Sequence, residues 1–339
     1  MIITAEGLKK TFTTRSRKGS QTVEAVKGID LQVETGEIFG VLGPNGAGKT
    51  TTMRMLSTLI APTSGTARVA GHDLTGEASQ IRRKIGYVSQ AGGVDDNNGA
   101  RANLMLAARI NGLGRAQAAE RVDAMLSAFE LAEFADRPGR TLSGGQKRRV
   151  AIALGLVHQP PLLFLDEPTT GLDPQNRANL WDQIRLLRSS GTTVLLSTHY
   201  LDEADALCDR LAIVDHGVIV AEGTAAALKR EVASDVVTLR IGSGDAAGSA
   251  RAGSGDVADA VEGVPAEVAK LLEVQPYTKE VRVDGDVLRI YLDDGEHALP
   301  GLLRVLEEAG VVLRSIALDR ATLDDVFLHK TGRSLRDAG

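Results

Sequence analysis

The chain has 339 residues, 43% of them hydrophobic and 24% charged, with a formal net charge of −5. That is room for two ordinary domains, and neither half is basic enough to advertise nucleic acid. No stretch approaches the roughly 18 consecutive apolar residues of a membrane span. The segment Met1–Glu6 has no charged and apolar regions of a secretory signal, and the lone Cys208 excludes an intrachain disulfide, so a reducing compartment is expected. Charge is uneven, about +3 over residues 1–230 and about −8 over 231–339, which marks a boundary near 230.

In chain order, Ile2 to Phe12 reads as a strand entering the basic, Gly/Ser-containing loop 13–20, and Val23 to Val33 as the returning strand. That loop is a solvated hairpin end or a contact for acidic lipid or RNA. Phe12 is a core residue or a ring that stacks on a base. The apolar run Ile38–Leu42 then leads into Gly43-Pro44-Asn45-Gly46-Ala47-Gly48-Lys49-Thr50-Thr51, and Met53, Leu56, Leu59 and Ile60 recur at helical spacing. Strand, glycine-rich turn and helix form the context of a P-loop. Its glycines let backbone N–H groups face phosphate oxygens, and the helix start adds partial positive charge. Lys49 is expected at the β- and γ-phosphates and the Thr50 hydroxyl on Mg²⁺.

Beyond the turn at 62–65, short strands are expected at 67–71 and 85–90, the second ending at Gln90 before a Gly- and Asp-rich loop. Ala118, Val122, Met125, Leu126 and Phe129 then form one apolar stripe, and residues 100–140 read as a helical insertion. Leu142-Ser143-Gly144-Gly145-Gln146 precedes another helix, with Lys147, Arg148 and Arg149 at its start. A serine and two glycines at a helix N-terminus either cap it or bind an anion, and the basic residues favour the anion. The strand Leu162–Leu165 delivers Asp166 and Glu167 to the carboxyl edge of the sheet, where α/β folds bind ligands. Asp166 suits Mg²⁺ and Glu167 the polarisation of a water. Gly171-Leu172-Asp173-Pro174 turns into a helix, and a further strand brings His199 to the same edge.

These residues together resemble the nucleotide-binding subunit of an ABC (ATP-binding cassette) transporter over roughly 1–225. Six motifs stand in family order: Walker A at 43–50, the Q-loop at Gln90, LSGGQ at 142–146, Walker B at 162–167, the D-loop at 171–173 and the H-loop at His199. The resemblance implies a P-loop NTPase fold with a RecA-like sheet core, an antiparallel β subdomain and a helical subdomain at about 95–160. It implies a head-to-tail homodimer holding two ATP molecules, in which Ser143, Gly144, Gly145 and Gln146 of one copy face the γ-phosphate held by the other. Lys49 and His199 are then assigned to the γ-phosphate, Thr50, Gln90 and Asp166 to Mg²⁺, Glu167 to the attacking water, Asp173 to coupling between copies, and Phe12 to the base. Two positions depart from the common pattern. Phe12 stands where tyrosine is commoner, and Ala100-Arg101-Ala102-Asn103-Leu104 carries alanine where many relatives have glutamate.

The remainder, 231–339, reads as a small α+β domain for regulation or dimerisation. Its strand at 236–241, helix at 265–272, hairpin at 281–292, helix around Leu302 and Leu306 and strand at 311–318 make βαββαβ, the ferredoxin-like order. A disordered Gly/Ala/Ser loop is expected at about 242–262. Leu323, Val326 and Phe327 on the last helix either pack onto their own domain or contact another chain. No residue here resembles a phosphate or metal site, so a chain ending near Lys229 is expected to keep ATP binding. The ending Asp324-Asp325-Val326-Phe327-Leu328 with Thr331-Gly332-Arg333 is similar to cassettes of daunorubicin-resistance exporters. That type implies a peripheral ATPase on the cytoplasmic face of the membrane, driving export of a drug-like or lipid-like compound through a separate permease. The alternative is a soluble ABC ATPase acting on nucleic acid or the ribosome, although no long coiled coil or second cassette is present.

Overall fold

The computed structural model describes residues 1–16, 19–241 and 259–335. They form two compact units, one of residues 1–225 with 330–339 and one of residues 226–329.

In the first unit, β1 (Ile3–Ser16) and β2 (Gly19–Val33) form a long antiparallel hairpin. After β3 (Ile38–Leu42), β4 (Ser64–Val69) and β5 (His72–Asp73) complete that antiparallel sheet in the order β2-β1-β4-β5. A second sheet combines β3 with β6 (Ile85–Val88), β7 (Leu162–Asp166), β8 (Thr193–Thr198), β9 (Arg210–Asp215) and β10 (Val218–Gly223), ordered β10-β9-β3-β8-β7-β6. All its pairs are parallel except the β9/β10 hairpin. Every residue of β3, β7 and β8 is buried, which is why their central residues read as apolar runs without polar alternation. Alternation divides their side chains between two layers. Leu162 and Phe164 pack with Phe39, Met53 and the antiparallel sheet, whereas Leu163 and Leu165 pack with the helices on the opposite face.

Helix α1 (Lys49–Leu56) follows the glycine-rich turn, and α2 (Ala78–Lys84) precedes β6. Between β6 and β7 come α3 (Ala100–Ile110), α4 (Arg115–Ala128) and α5 (Gly144–Leu156). Ala118, Val122, Leu126 and Phe129 are buried in the core, as the apolar stripe predicts. Helix α6 (Pro174–Ser189) joins β7 to β8, and α7 (Leu201–Leu207) joins β8 to β9. The mixed α/β cassette with an antiparallel sheet and a helical insertion is the fold that the sequence implies. The two-residue β5 and the short α2 and α7 leave no comparable periodic signal.

The second unit begins with α8 (Ala225–Val232), then β11 (Asp235–Ile241), α9 (Asp259–Glu273), β12 (Thr278–Asp284), β13 (Val287–Leu292), α10 (Gly295–Glu308), β14 (Leu313–Arg320) and α11 (Leu323–Thr331). Its sheet is antiparallel in the order β14-β11-β13-β12, the split βαβ arrangement of ferredoxin-like folds. Leu272, Leu302 and Leu306 of α9 and α10 pack on Val237, Leu239, Leu288 and Ile290. Helix α9 starts six residues earlier than expected; of the loop expected at 242–262, residues 242–258 lie outside the described residues and 259–262 are helical. Of the two readings of Leu323, Val326 and Phe327, packing within the chain is the one observed: all three are buried. Tyr291 donates to Asp325 at 3.0 Å, and Arg282 to the Leu328 carbonyl at 2.9 Å, tying α11 to its own sheet.

Candidate active site

The parallel sheet sets the site. At the carboxyl end of β3 the chain turns through Gly43 to Gly48 into α1. Gly46 and Gly48 have φ of 79° and 106°, a region that side chains rarely adopt. A Cβ on Gly48 would also stand 2.5 Å from the Ala25 carbonyl oxygen, so the close approach of β2 requires glycine there. Lys49 is only 4% exposed, and its Nζ donates to the carbonyls of Gly43 at 2.7 Å and Pro44 at 3.0 Å. Glu167 Oε1 lies 3.5 Å away. Burial lowers the Lys49 pKa, while the charges of Glu167 and Asp166 oppose that shift.

Asp166, at the end of β7, is 1% exposed. It accepts hydrogen bonds from Ser197 Oγ at 2.6 Å, Thr50 Oγ1 at 3.0 Å and Tyr87 OH at 3.3 Å. Next to it, Glu167 has a φ of 46°, a strained value for a residue with a side chain. Its N–H is held by the Ser197 carbonyl and hydroxyl, both at 3.1 Å. Its carboxylate accepts from Gln90 Nε2 at 3.1 Å and Thr170 Oγ1 at 3.2 Å. His199 Nδ1 lies 3.4 Å from the same carboxylate but out of line for a hydrogen bond, leaving that buried nitrogen unpartnered. Lys49, Thr50, Gln90, Asp166, Glu167 and His199 therefore meet at one sheet edge. Gln90 reaches Glu167 there, with no contact to Thr50 or Asp166 among the hydrogen bonds of the described residues.

The remaining predicted residues lie elsewhere. Phe12 is 41% exposed on β1, with Lys10 Nζ 5.2 Å from its ring centre. Ser143 caps α5 in a complete capping box: its hydroxyl accepts from Gln146 N at 3.2 Å, and Gln146 Oε1 accepts from Ser143 N at 2.9 Å. Asp173 caps α6, accepting from Asn176 N at 3.0 Å, and the hydrogen bonds from Asn176 hold its carboxyl pKa down. A Cβ on Gly145 would approach Asn176 Oδ1 to 2.9 Å, so the signature segment and the start of α6 are neighbours. The three basic residues beyond the signature do not gather around an anion. Lys147 pairs with Asp96, Arg149 with Glu130, and Arg148 turns inward. Only 8% exposed, Arg148 donates to the carbonyls of Pro168 at 2.6 Å, Ser89 at 2.7 Å and Asp166 at 3.1 Å. Burial brings its pKa down to about 10. Along with Ser197, Tyr87 and Thr170, it is a site-shaping residue for which sequence reasoning has little signal.

The arrangement fits a nucleotide triphosphate and its metal. A glycine-walled turn offers backbone N–H groups beside a buried lysine, and a threonine hydroxyl faces a buried carboxylate, hard oxygen donors of the kind Mg²⁺ takes alongside phosphates. Comparison with known proteins agrees. A family described as "ABC transporter" matches residues 26–170, and one described as "ATP-binding protein DrrA1-3-like, C-terminal domain" matches residues 223–331. The chain is 42% identical over 334 residues to the daunorubicin resistance ATP-binding protein DrrA3 of Streptomyces coeruleorubidus, covering 98% of this chain and 97% of that one. This chain belongs to the ABC transporter ATP-binding family. Other relatives include a doxorubicin resistance ATP-binding protein of Mycobacterium tuberculosis, 38% identical over 98% of this chain and 94% of its own. The Nod factor export ATP-binding protein I of Ralstonia nicotianae is 38% identical over 99% and 95%. Among solved structures, a dimeric ATP-binding cassette in a post-hydrolysis state with ADP and Pi superposes with a TM-score of 0.60 at 27% identity, over 66% of this chain and 98% of that one. The ABC cassette described above is thus an ATPase, and the alternative of a nucleic-acid or ribosome ATPase gains no support from its relatives. No helix among the described residues is long and apolar enough to cross a membrane.

Proposed function

We propose that this ATPase powers export of a drug-like or lipid-like amphipathic compound through a permease on a separate chain, working as a homodimer at the cytoplasmic face of the membrane. The observation that carries the reading is the meeting of Lys49, Thr50, Asp166 and Glu167 at the carboxyl edge of β3 and β7, in a chain whose full-length relatives are named for drug resistance and Nod factor export. Gly43, Pro44, Asn45, Gly46, Ala47 and Gly48 hold the triphosphate with backbone N–H groups, joined by the start of α1 with Thr50 and Thr51. Lys49 and His199 neutralise the γ-phosphate, and Phe12 stacks on the base. Thr50 and Asp166, with Gln90 from the neighbouring strand end, hold Mg²⁺. The metal supplies charge neutralisation at the transferred phosphoryl group. Glu167, restrained at its backbone and set among Gln90, Thr170 and His199, orients and polarises the attacking water. Ser143, Gly144, Gly145 and Gln146 complete the site of the second copy, and Asp173 links the copies.

Co-expression with candidate permeases and affinity capture tests the reading. A hydrophobic membrane protein should co-purify, and vesicles containing the pair should move daunorubicin only with ATP. Capture of RNA or DNA in place of a membrane protein would refute it.

A further inference from the structure

Residues 330–335 return to the ATPase unit although the chain reaches them only through the second unit. Gly332, with a φ of 78°, turns the backbone after α11. Arg333 Nη2 then donates to Asp215 Oδ1 at 2.7 Å and His216 Nε2 at 2.8 Å, and Leu335 is buried. Asp215, His216 and Gly217 make the tight turn between β9 and β10, with positive φ at both His216 and Gly217, the two-residue geometry of a type I′ hairpin. That turn supports the P-loop from behind. Gly217 N donates to the Ala47 carbonyl at 2.9 Å, and the Gly217 carbonyl accepts from Lys27 N at 2.8 Å. A Cβ on Gly48 would lie 3.5 Å from the Gly217 Cα, and one on Gly43 would collide with the Val214 carbonyl.

We infer that Arg333 is a positioning residue for nucleotide binding: it fixes the Asp215–Gly217 turn, which fixes the P-loop backbone at Ala47. An exposed ion pair alone contributes little. This one differs because Asp215 is 7% exposed and the guanidinium has two acceptors on one turn. The turn is also one hydrogen bond from the amides that face the phosphates. The tail is thereby part of the ATPase unit, so a chain ending near Lys229, expected to keep ATP binding, would keep it at lowered affinity.

The inference rests on the P-loop being the nucleotide site, so Lys49→Ala serves as the comparison. In the full-length protein, Arg333→Ala should raise both the Kd for MgATP in calorimetric titration and the KM of hydrolysis about three- to tenfold, with kcat changed less than about twofold, because uniform binding and not the transition state is affected. Arg333→Lys should recover part of the affinity, and Asp215→Asn should reproduce the loss without adding to it in the double variant. Wild-type affinity in folded Arg333→Ala and Asp215→Asn, with affinity lost in Lys49→Ala, overturns the role of the tail alone. Wild-type affinity in Lys49→Ala as well overturns the P-loop reading with it.

Discussion

Replacing Arg148 with methionine keeps the reach of the side chain and removes all of its N–H donors. Two opposed quantities decide the outcome. Burial lowers the guanidinium pKa to about 10, so holding it charged in the fold costs ~3 kcal/mol, at ~1.36 kcal/mol per tenfold in proton affinity. Because the folded-state value is the lower one, that cost is fully present below about pH 10 and is relieved only as pH rises through it. Against it stand the hydrogen bonds to the Ser89, Asp166 and Pro168 carbonyls. A charged donor contributes ~1.5–3 kcal/mol per bond, or ~5–9 kcal/mol for the set. The bonds win. Some of their loss is offset by the apolar surface that methionine buries, ~1–2 kcal/mol, so at the middle of these ranges the variant should be less stable by ~2–3 kcal/mol and still folded, given typical stabilities of ~5–15 kcal/mol. Urea titration reads this as a lower midpoint at unchanged slope, with a gap constant from about pH 6 to 9 because the group does not titrate there. Turnover should fall further than stability implies, by about tenfold or more, because the three carbonyls flank Gln90 and Glu167 and small misplacements there are costly. Arg148→Lys should recover stability only in part, a point charge being unable to span three acceptors. An Arg148→Met protein with wild-type midpoint and wild-type ATPase rate would refute the reasoning.

Glu167→Gln should retain ATP affinity, lose about 10²–10⁴ in turnover and accumulate as an ATP-bound dimer in size-exclusion chromatography; an unchanged rate removes Glu167 from the role of base. Lys49→Ala should weaken ATP binding itself, and normal affinity by calorimetry counts against the phosphate contact. Ser143→Arg should spare ATP binding by one chain while blocking closure and hydrolysis, at an added cost of about 1 kcal/mol for the lost cap; a specific activity independent of dilution down to very low protein concentration contradicts a site shared between two chains.

What could be read from the residues, and what could not, follows from the range of the interactions. The P-loop was legible because glycines, lysine and threonine act within one local turn between a buried strand and a helix. The paired acids were legible because carboxylates closing the apolar run 162–165 have no packing reason to be there. The ferredoxin-like order could be followed from strand and helix lengths even though α9 begins earlier than its apolar residues suggest. Ser197 and Tyr87 were not legible, since each reaches Asp166 only after parallel strands distant in sequence are laid side by side. The partners of the basic run 147–149 were hidden for the same reason: the helix presents each side chain to a different neighbour. Nothing in composition marks residues 330–335 as returning to the first unit, because contacts such as that of Arg333 with Asp215 leave no periodic or compositional signal.

The restraints on Glu167 converge on its peptide groups. A non-glycine residue at a φ of 46° persists only where its surroundings over-determine it, at a cost of about 1–3 kcal/mol. The peptide joining Asp166 to Glu167 is gripped at both ends: its carbonyl accepts from Arg148, and its N–H donates to the Ser197 carbonyl and hydroxyl. One residue further on, the Pro168 carbonyl accepts from Arg148 again, and proline has no N–H of its own to satisfy. Ser197 comes from β8, and the other half of the grip, Arg148, comes from α5, the helix that opens with the signature. Movement of α5 therefore reaches the backbone of the proposed base directly through one side chain. Any displacement of α5 that strained the Arg148 bonds would bear on the backbone that aims the carboxylate proposed as the base.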